Sequence, residues 1–461
     1  MAPELSGREL SGSWSMREKC VQEGSQGEGR QANSPIEGMA VPPRRSDRPL
    51  TLWIINQYAS SPSTGYAGRH YYLARELAAQ GHQVYVVAAS FTHLLRESPR
   101  VDGDVTIETI DGVHMVWLRM PSYPHAHSKK RVWNWLRFAW ALRRLPSALP
   151  ESPGAILYSS PTLVGFLGAQ RLARRFDVPL IFEVRDIWPL TLMQVGGYSE
   201  RHPVMRFLQW IEDKAYRESD RVISNLKNAV EHMQARGMDP AKFAWVPNGF
   251  SMAEVSKPEP LDPSTRAQLP RDKFIVGYTG TLGVANALDT LLDAAERLKN
   301  EDDVAFVLVG GGKEKPALQR RAKEKGLKNV VFIDPIPKAQ IQTMLQCFDV
   351  CFIGLSKEPL FHFGVSPNKL FDYLISGRPI IYSIDSGAYR PVDEAGCGLT
   401  VPAEDSGAIA EAVMKLKMLS EAERGEMGGR GRAYALGKHE YGELAGQLLH
   451  VVDGAIDEKG V

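Results

Sequence analysis

The chain has 461 residues, 43% of them apolar and 24% charged, which suffices for substantial cores in two or three domains. A net charge of +1 argues against a general nucleic-acid binder, and Cys20, Cys347, Cys351 and Cys397 form no CxxC pair or ligand-rich neighbourhood, which argues against disulfides and structural zinc. The first stretch is polar with no apolar core, and no run of about 18 apolar residues occurs, so the expectation is a cytoplasmic chain without signal peptide or membrane span.

Residues 1–48 are rich in Ser, Gly, Glu, Gln and Arg, cannot repay the entropy of ordering, and are expected to form a disordered tail. From Leu52, short apolar runs (LWII, VYVVAAS, AILYSS, LIFEV, RVISN, FAWVPN) alternate with amphipathic stretches such as His70–Gln80 and Pro203–Glu218. Strands alternating with helices predict a parallel sheet covered on both faces, assigned to residues 49–255. The polar, proline-rich stretch 256–272 reads as a linker. A second alternating series fills 273–437: FIVGYTG, a helix over Leu288–Lys299, VAFVLVGGG, VVFIDPI, VCFIGL, a further helix, PIIYSI and GLTV.

Candidate functional residues sit at the ends of these runs. Gly65, Gly68 and Arg69 form a glycine loop ending in a cation, read as a mobile closing loop or a surface turn. Asp102-Gly103-Asp104 matches a metal-binding DxD pattern but lies in a polar turn and is read as a turn, with no essential metal expected. Between His127 and Leu145 the acid-free run HSKKRVWNWLRFAWALRRL interleaves Lys129, Lys130, Arg131 and Arg137 with Trp133, Trp135 and Trp140. Such a helix suits an anionic membrane surface; a core helix with snorkelling cations is the plainer reading, and single-stranded RNA a third. Asp186, with Arg185 beside it, leaves the strand LIFEV at its carboxyl end and is the acid/base candidate, against a plain surface pair.

In the second half, Gly280, Leu282 and Gly283, and then Gly310, Gly312 and Lys313, follow strands at the ends where open α/β sheets bind ligands. Neither loop has dinucleotide or P-loop spacing, so a tight turn is the alternative at each. In FGVSPNKLFDYLISGRPIIY, Ser366 suits an N-cap and Pro367 the first helical position, which leaves the amides of Val365 to Asn368 to face an anion. Lys369 and Asp372 share the polar face of that helix and suit a nucleotide's phosphate and ribose, against an ordinary capped amphipathic helix. Of 11 histidines, His362 alone lies beside this segment.

The order of these segments, from TLWIINQYASSPSTGYAGRHYYLARELAAQGHQVYVVAAS through FEVRDIWP, WVPNGF, VGYTGTLG, FVLVGGGKEKPAL and NVVFIDPIP to FGVSPNKLFDYLISGRPI, resembles the family-4 retaining glycosyltransferases, in the branch that assembles bacterial O-antigen and capsular repeat units. The resemblance runs from about Leu52 to Val401 and implies an α/β protein of GT-B fold: two Rossmann-like domains facing across a cleft, with C-terminal helices (438–457) crossing back to the first. It implies transfer from a nucleotide sugar, UDP-linked, to a polyprenyl-diphosphate-linked saccharide at the inner membrane face, without a cofactor. A UDP-sugar 2-epimerase, a phosphorylase or a non-catalytic nucleotide-binding scaffold are the rivals. Three features depart from the family pattern. The paired Glu residues fall here on Gly364 and Asp372, and the cations usual after the first donor-domain strand are absent from GTLGVANAL. Where many members carry a His, this chain has Arg185.

Overall fold

The computed structural model describes residues 49–65, 67–124 and 128–460. The tail expected over 1–48 lies outside the described residues, as does the side chain of Lys129.

Two sheets organise the described residues. The first contains β1 (Thr51–Ile55), β2 (Gln83–Ala89), β3 (Val105–Ile110), β4 (Val113–Leu118), β5 (Ala155–Ser159), β6 (Leu180–Val184), β7 (Arg221–Ser224) and β8 (Phe243–Trp245), in the order β3-β4-β2-β1-β5-β6-β7-β8. The second contains β9 (Phe274–Thr279), β10 (Val304–Val309), β11 (Val330–Ile333), β12 (Val350–Gly354), β13 (Ile380–Ser383) and β14 (Gly398–Val401), in the order β11-β10-β9-β12-β13-β14. All neighbours run parallel except β3 and β4. The β3–β4 hairpin escapes the reading of the sequence. Its signal is Asp111-Gly112 between two β-rich runs, and both residues adopt positive φ, 48° and 80°, as a tight hairpin turn requires.

Central strands are buried on both faces, which explains their unbroken apolar runs. One face of the first sheet is covered by helices Lys129–Ala141, Val164–Phe176 and Pro203–Glu218, which contribute Phe138, Phe166, Leu208 and Ile211 to a shared core. The other face is covered by helix Arg69–Ala79 and by the C-terminal helix Tyr441–Lys459, whose Leu444, Leu448 and Val452 pack with Leu73 and Leu77. The stretch 256–272 is not a free strand of chain: it carries a helical turn at Pro263–Arg266, and Leu261 is buried in the second-lobe core.

In the second lobe the loops after β9 and β10 touch backbone to backbone. A Cβ on Gly310 would sit 1.9 Å from the Gly280 carbonyl oxygen, and one on Gly312 would sit 2.1 Å from that of Leu282. Both glycines, and Gly280, have positive φ. Gly310→Ala should therefore destabilise the fold by at least about 2 kcal/mol, from steric overlap and backbone strain together, seen as a lower urea midpoint. Gly429→Ala, in an exposed helix interior where an added Cβ meets nothing within 4 Å, should instead stabilise by about 0.5–1 kcal/mol.

Candidate functional site

A cleft of about 460 Å³ lies between the lobes, lined on the first-lobe side by Tyr58, Gly68, Arg69, His70, Arg131, Arg185 and Asp186, and on the second by Lys338, Asn368 and Asp372. Its first-lobe floor is built on Glu183, the fourth residue of β6. That side chain is 1% exposed, so its charge demands full compensation. It accepts hydrogen bonds from Arg69 Nε (2.9 Å), His70 Nε2 (2.9 Å) and Ser159 Oγ (2.5 Å). Burial alone would raise its pKa, but the Arg69 guanidinium and the bond from His70 overturn this and hold the carboxyl well below its usual range. Burial pulls the pKa of His70 down despite Glu183, so the ring donates from Nε2 in its neutral form.

Arg69 is thus corrected from a mobile loop cation to a buried structural one. Beyond Glu183 it donates to the carbonyls of Val246 (2.7 Å) and Pro247 and to Asn248 Oδ1 (3.4 Å). The loop before it is partly helical, with a 3-10 turn over Pro62–Thr64 closed by Gly65 at φ 105°, while Gly68 is extended and opens the helix. Gly68 and Arg69 both line the cleft. Asp186 lines it too, yet both its oxygens are engaged, accepting from Trp188 Nε1 (3.0 Å) and Thr191 Oγ1 (2.5 Å). That arrangement suits a rigid orienting carboxylate more than a proton carrier. The Arg185 backbone amide donates to Ser160 Oγ (2.8 Å).

The second-lobe wall is the helix Asn368–Ser376. Ser366 is not its N-cap; Pro367 occupies that position, and no side chain caps the helix. The Ser366 hydroxyl instead accepts from the Asn248 amide (3.2 Å), and Asn248 Nδ2 donates to the Ser366 carbonyl (2.8 Å), so the serine joins the lobes. Lys369 and Asp372 also part company. Lys369 Nζ donates to Tyr278 Oη (2.6 Å) and Asn286 Oδ1 (2.7 Å), lies over the Tyr278 ring, and stands beside Gly280. These partners carry no charge, and burial lowers the ammonium pKa to about 7. Asp372 pairs with Lys338, on the turn after β11, at 2.6 and 2.7 Å.

Of the remaining loop residues, Leu282 has its side chain in the second-lobe core, fully buried, so only its backbone reaches the glycine loop. Gly283 opens the 3-10 turn Val284–Asn286. Lys313 is exposed, whereas Lys315, which the sequence reading passed over, bonds the Gly310 carbonyl (2.9 Å) and Asp334 (2.7 Å). Val365 is buried at the helix approach. His362 is exposed and holds Asn228 Nδ2 through its carbonyl (3.0 Å).

The tryptophan helix divides. Trp133 and Trp140 are exposed, as are Lys130 and Arg137, but Trp135 is buried and donates to Tyr58 Oη (3.3 Å). Arg131 turns inward among the rings of Tyr58, Trp135 and Trp188, with Nε donating to Tyr58 Oη (3.1 Å). Trp135 and Arg131 therefore leave the proposed membrane face, and Arg131 joins the cleft. Gly103 and Asp104 lie in a bend, with Asp102 just before it, and Asp104 pairs with Arg144 (3.0 Å). Among the described residues no group of three His, Cys, Asp or Glu side chains converges on a metal position.

A profile described as "Glycosyl transferase 4-like domain" matches residues 64–249, and one described as "Glycosyl transferases group 1" matches 273–417, one for each side of this cleft. The chain belongs to the family-4 glycosyltransferases. A glycosyl transferase assigned by name to colanic acid biosynthesis, WcaI of Escherichia coli K12, is 24% identical over 66% of this chain and 76% of its own length. Sucrose-phosphate synthase of Thermosynechococcus elongatus matches the structure with a TM-score of 0.64 at 20% identity, covering 87% of this chain and 97% of that one. Anabaena Alr3699/HepE, solved in complex with UDP and glucose, matches with a TM-score of 0.59 at 15% identity, covering 87% and 98%. The fold of this glycosyltransferase is GT-B.

Residues missed in the sequence are Glu183, His70, Ser159, Asn248, Tyr278, Asn286 and Lys338. Glu183 had a visible signal, a carboxylate in an otherwise apolar strand. Glu183→Ala should cost about 3–5 kcal/mol, because it leaves the buried Arg69 guanidinium without a counter-charge. The folded pKa lies below the ordinary 4.5, so the carboxylate's contribution is full above that value and disappears as pH falls through the folded pKa. Urea unfolding of wild type and Glu183→Gln across the acid range checks this, and the Gln variant should show the shallower loss.

Proposed function

We propose that this glycosyltransferase moves a sugar from a UDP-linked donor to a lipid-linked saccharide in cell-surface polysaccharide synthesis, with retention of anomeric configuration. The observation that carries the donor half is Lys369, a half-buried cation held by neutral partners beside Gly280 and the open start of a helix. A diphosphate supplies the missing counter-charge, and the helix amides near Val365, Ser366 and Asn368 add to it. The UDP bound by Alr3699/HepE, on the same fold, supports this donor class. Asp372 is placed for ribose hydroxyls once it gives up Lys338, an exposed partner whose pairing contributes about 0–1 kcal/mol.

On the acceptor side, Arg131 and Arg185 line the cleft, and Arg131 belongs to the helix whose outer face exposes Trp133 and Trp140. An acceptor whose lipid lies in an anionic bilayer would bring its diphosphate along this helix to those guanidiniums. The name borne by the colanic acid relative supports a polysaccharide substrate. In the transfer, the bond from the anomeric carbon to the diphosphate oxygen breaks, and the acceptor hydroxyl attacks the same face. Its proton passes to the departing phosphate oxygen. Lys369 and the helix amides stabilise the charge that develops there, while Asp186 holds the acceptor wall rigid.

Transfer from a panel of UDP-sugars to a polyprenyl-diphosphate saccharide tests the reading. Donor turnover that gives an epimer without acceptor would replace it with the epimerase. Activity should survive EDTA, because Lys369 and the helix start carry the leaving group; loss with EDTA that magnesium restores would refute that role.

Binding should also depend on pH. A diphosphate raises the Lys369 pKa above its unliganded value of about 7, so binding takes up a proton at higher pH. UDP affinity should then fall as pH rises above about 7, by up to about tenfold per unit. Lys369→Met should abolish this slope and weaken binding near neutral pH by about ten- to a hundredfold, measured by calorimetry.

A further inference from the structure

We propose that helix Pro203–Glu218 forms a second contact with an anionic lipid bilayer, coplanar with the tryptophan helix. The proposal rests on the membrane reading above and adds a surface to it. Helices Lys129–Ala141, Val164–Phe176 and Pro203–Glu218 lie side by side on one face of the first sheet, the middle one packed against both others. Their outward faces therefore point the same way, off the same side of the lobe.

The outward face of Pro203–Glu218 is apolar where a solvated helix would be polar. Met205, Leu208, Ile211 and Ala215 face the core, while Val204, Phe207 and Trp210 are 39%, 42% and 49% exposed. Phe207 and Trp210 stack with ring centres 6.0 Å apart. The turn leading into the helix adds Val195 and Tyr198, 62% and 51% exposed. Two helices away, Trp133, Leu136 and Trp140 are 63%, 44% and 52% exposed. Two rows of exposed large apolar side chains on one side of the lobe call for a partner.

Charge selects the bilayer. The middle helix exposes Arg171, Arg174 and Arg175 and contains no acid, so cations lie between the two aromatic rows. Arg206 is exposed beside Phe207. The acids of Pro203–Glu218 are largely spent: Glu212 is buried, Asp213 pairs with Arg236 (2.8 Å), and Glu218 with Lys214 and Arg174 (2.7 Å). Glu200, in the preceding turn, and Asp177, which caps the end of the middle helix, are exposed exceptions. Tryptophan and tyrosine at headgroup depth, with arginines between them, match an anionic interface, and two separated rows resist rocking about either one.

The test is co-sedimentation of the full chain with phosphatidylglycerol-containing vesicles at low and high salt. Phe207→Ser with Trp210→Ser should weaken binding on the order of tenfold at both salt concentrations, whereas Arg171→Gln with Arg175→Gln should weaken it chiefly at low salt. Thermal unfolding checks that each variant is folded, and Trp210→Gln alone serves if the double variant is not. Wild-type protein that fails to pellet overturns both this proposal and the membrane reading. Wild-type protein that pellets, with the Phe207 and Trp210 variants pelleting as well, overturns this proposal alone. A lipid-free dimer that those substitutions dissolve would assign the face to a second copy of the chain and overturn it likewise.

Discussion

A carboxylate buried in a strand is costly, and the way this chain neutralises Glu183 sets the geometry of the whole cleft. Arg69 neutralises the charge, and the same guanidinium extends past it to the carbonyls of Val246 and Pro247. That fixes the Pro247-Asn248 segment, in which the Asn248 amide and side chain hold Ser366 at the approach to helix Asn368–Ser376. The Asn248 carbonyl in turn lies 3.2 Å from His439 Nδ1, where the chain crosses back to the first lobe. Helix start, ion pair and interlobe turn form one connected polar network. Its members depend on one another because each buried group left unpaired would carry its full desolvation cost.

The departures from the family pattern have physical counterparts in the same region. Gly364, where a glutamate is usual, has φ 94°, and a Cβ there would lie 3.1 Å from the Lys227 amide. The space is filled by the other lobe: the Asn228 amide donates to the Phe363 carbonyl, and its side chain to the carbonyls of His362 and Ser386. An acidic side chain at 364 would push this contact apart. The missing cations of the first glycine loop are matched by neutral groups, Tyr278 and Asn286, which receive the one lysine presented to that loop from the helix. Where the family pattern has one more acid and two cations, this region has direct lobe contact and the Lys369 ammonium.

Local periodicity made the two series of strands legible, since apolar runs of strand length alternate with helical patterns throughout. The hairpin of β3 and β4 was legible too, at Asp111-Gly112 between two β-rich runs, although an antiparallel pair interrupts the alternation of strands with helices. The tryptophan helix shows a finer miss. Arg131, Trp135, Phe138 and Leu142 recur at helical spacing and face inward, whereas Trp133, Leu136, Arg137 and Trp140 face out. Composition counted the two sets together; the helical period separates them. Arg69 could not be placed this way. Its partner Glu183 is 114 residues distant, and nothing in the local pattern links a cation after a glycine loop to a carboxylate in a strand.

Lys369 and Asp372 show how one helix face serves two different electrostatic tasks. Asp372 rests against Lys338, a side chain 56% exposed, so exchange of that partner for a ligand's hydroxyls costs little. Lys369 has no such exposed partner, and burial without counter-charge drives its pKa to about 7. The first residue is a carboxylate held in reserve by a replaceable ion. The second is a cation kept at the edge of losing its proton until an anion arrives. Polar partners alone would not distinguish these roles; the difference lies in whether the neighbour carries charge. On the proposed reading, binding a diphosphate would do more than add contacts at this wall, because it would restore the proton on which stabilisation of the leaving group depends.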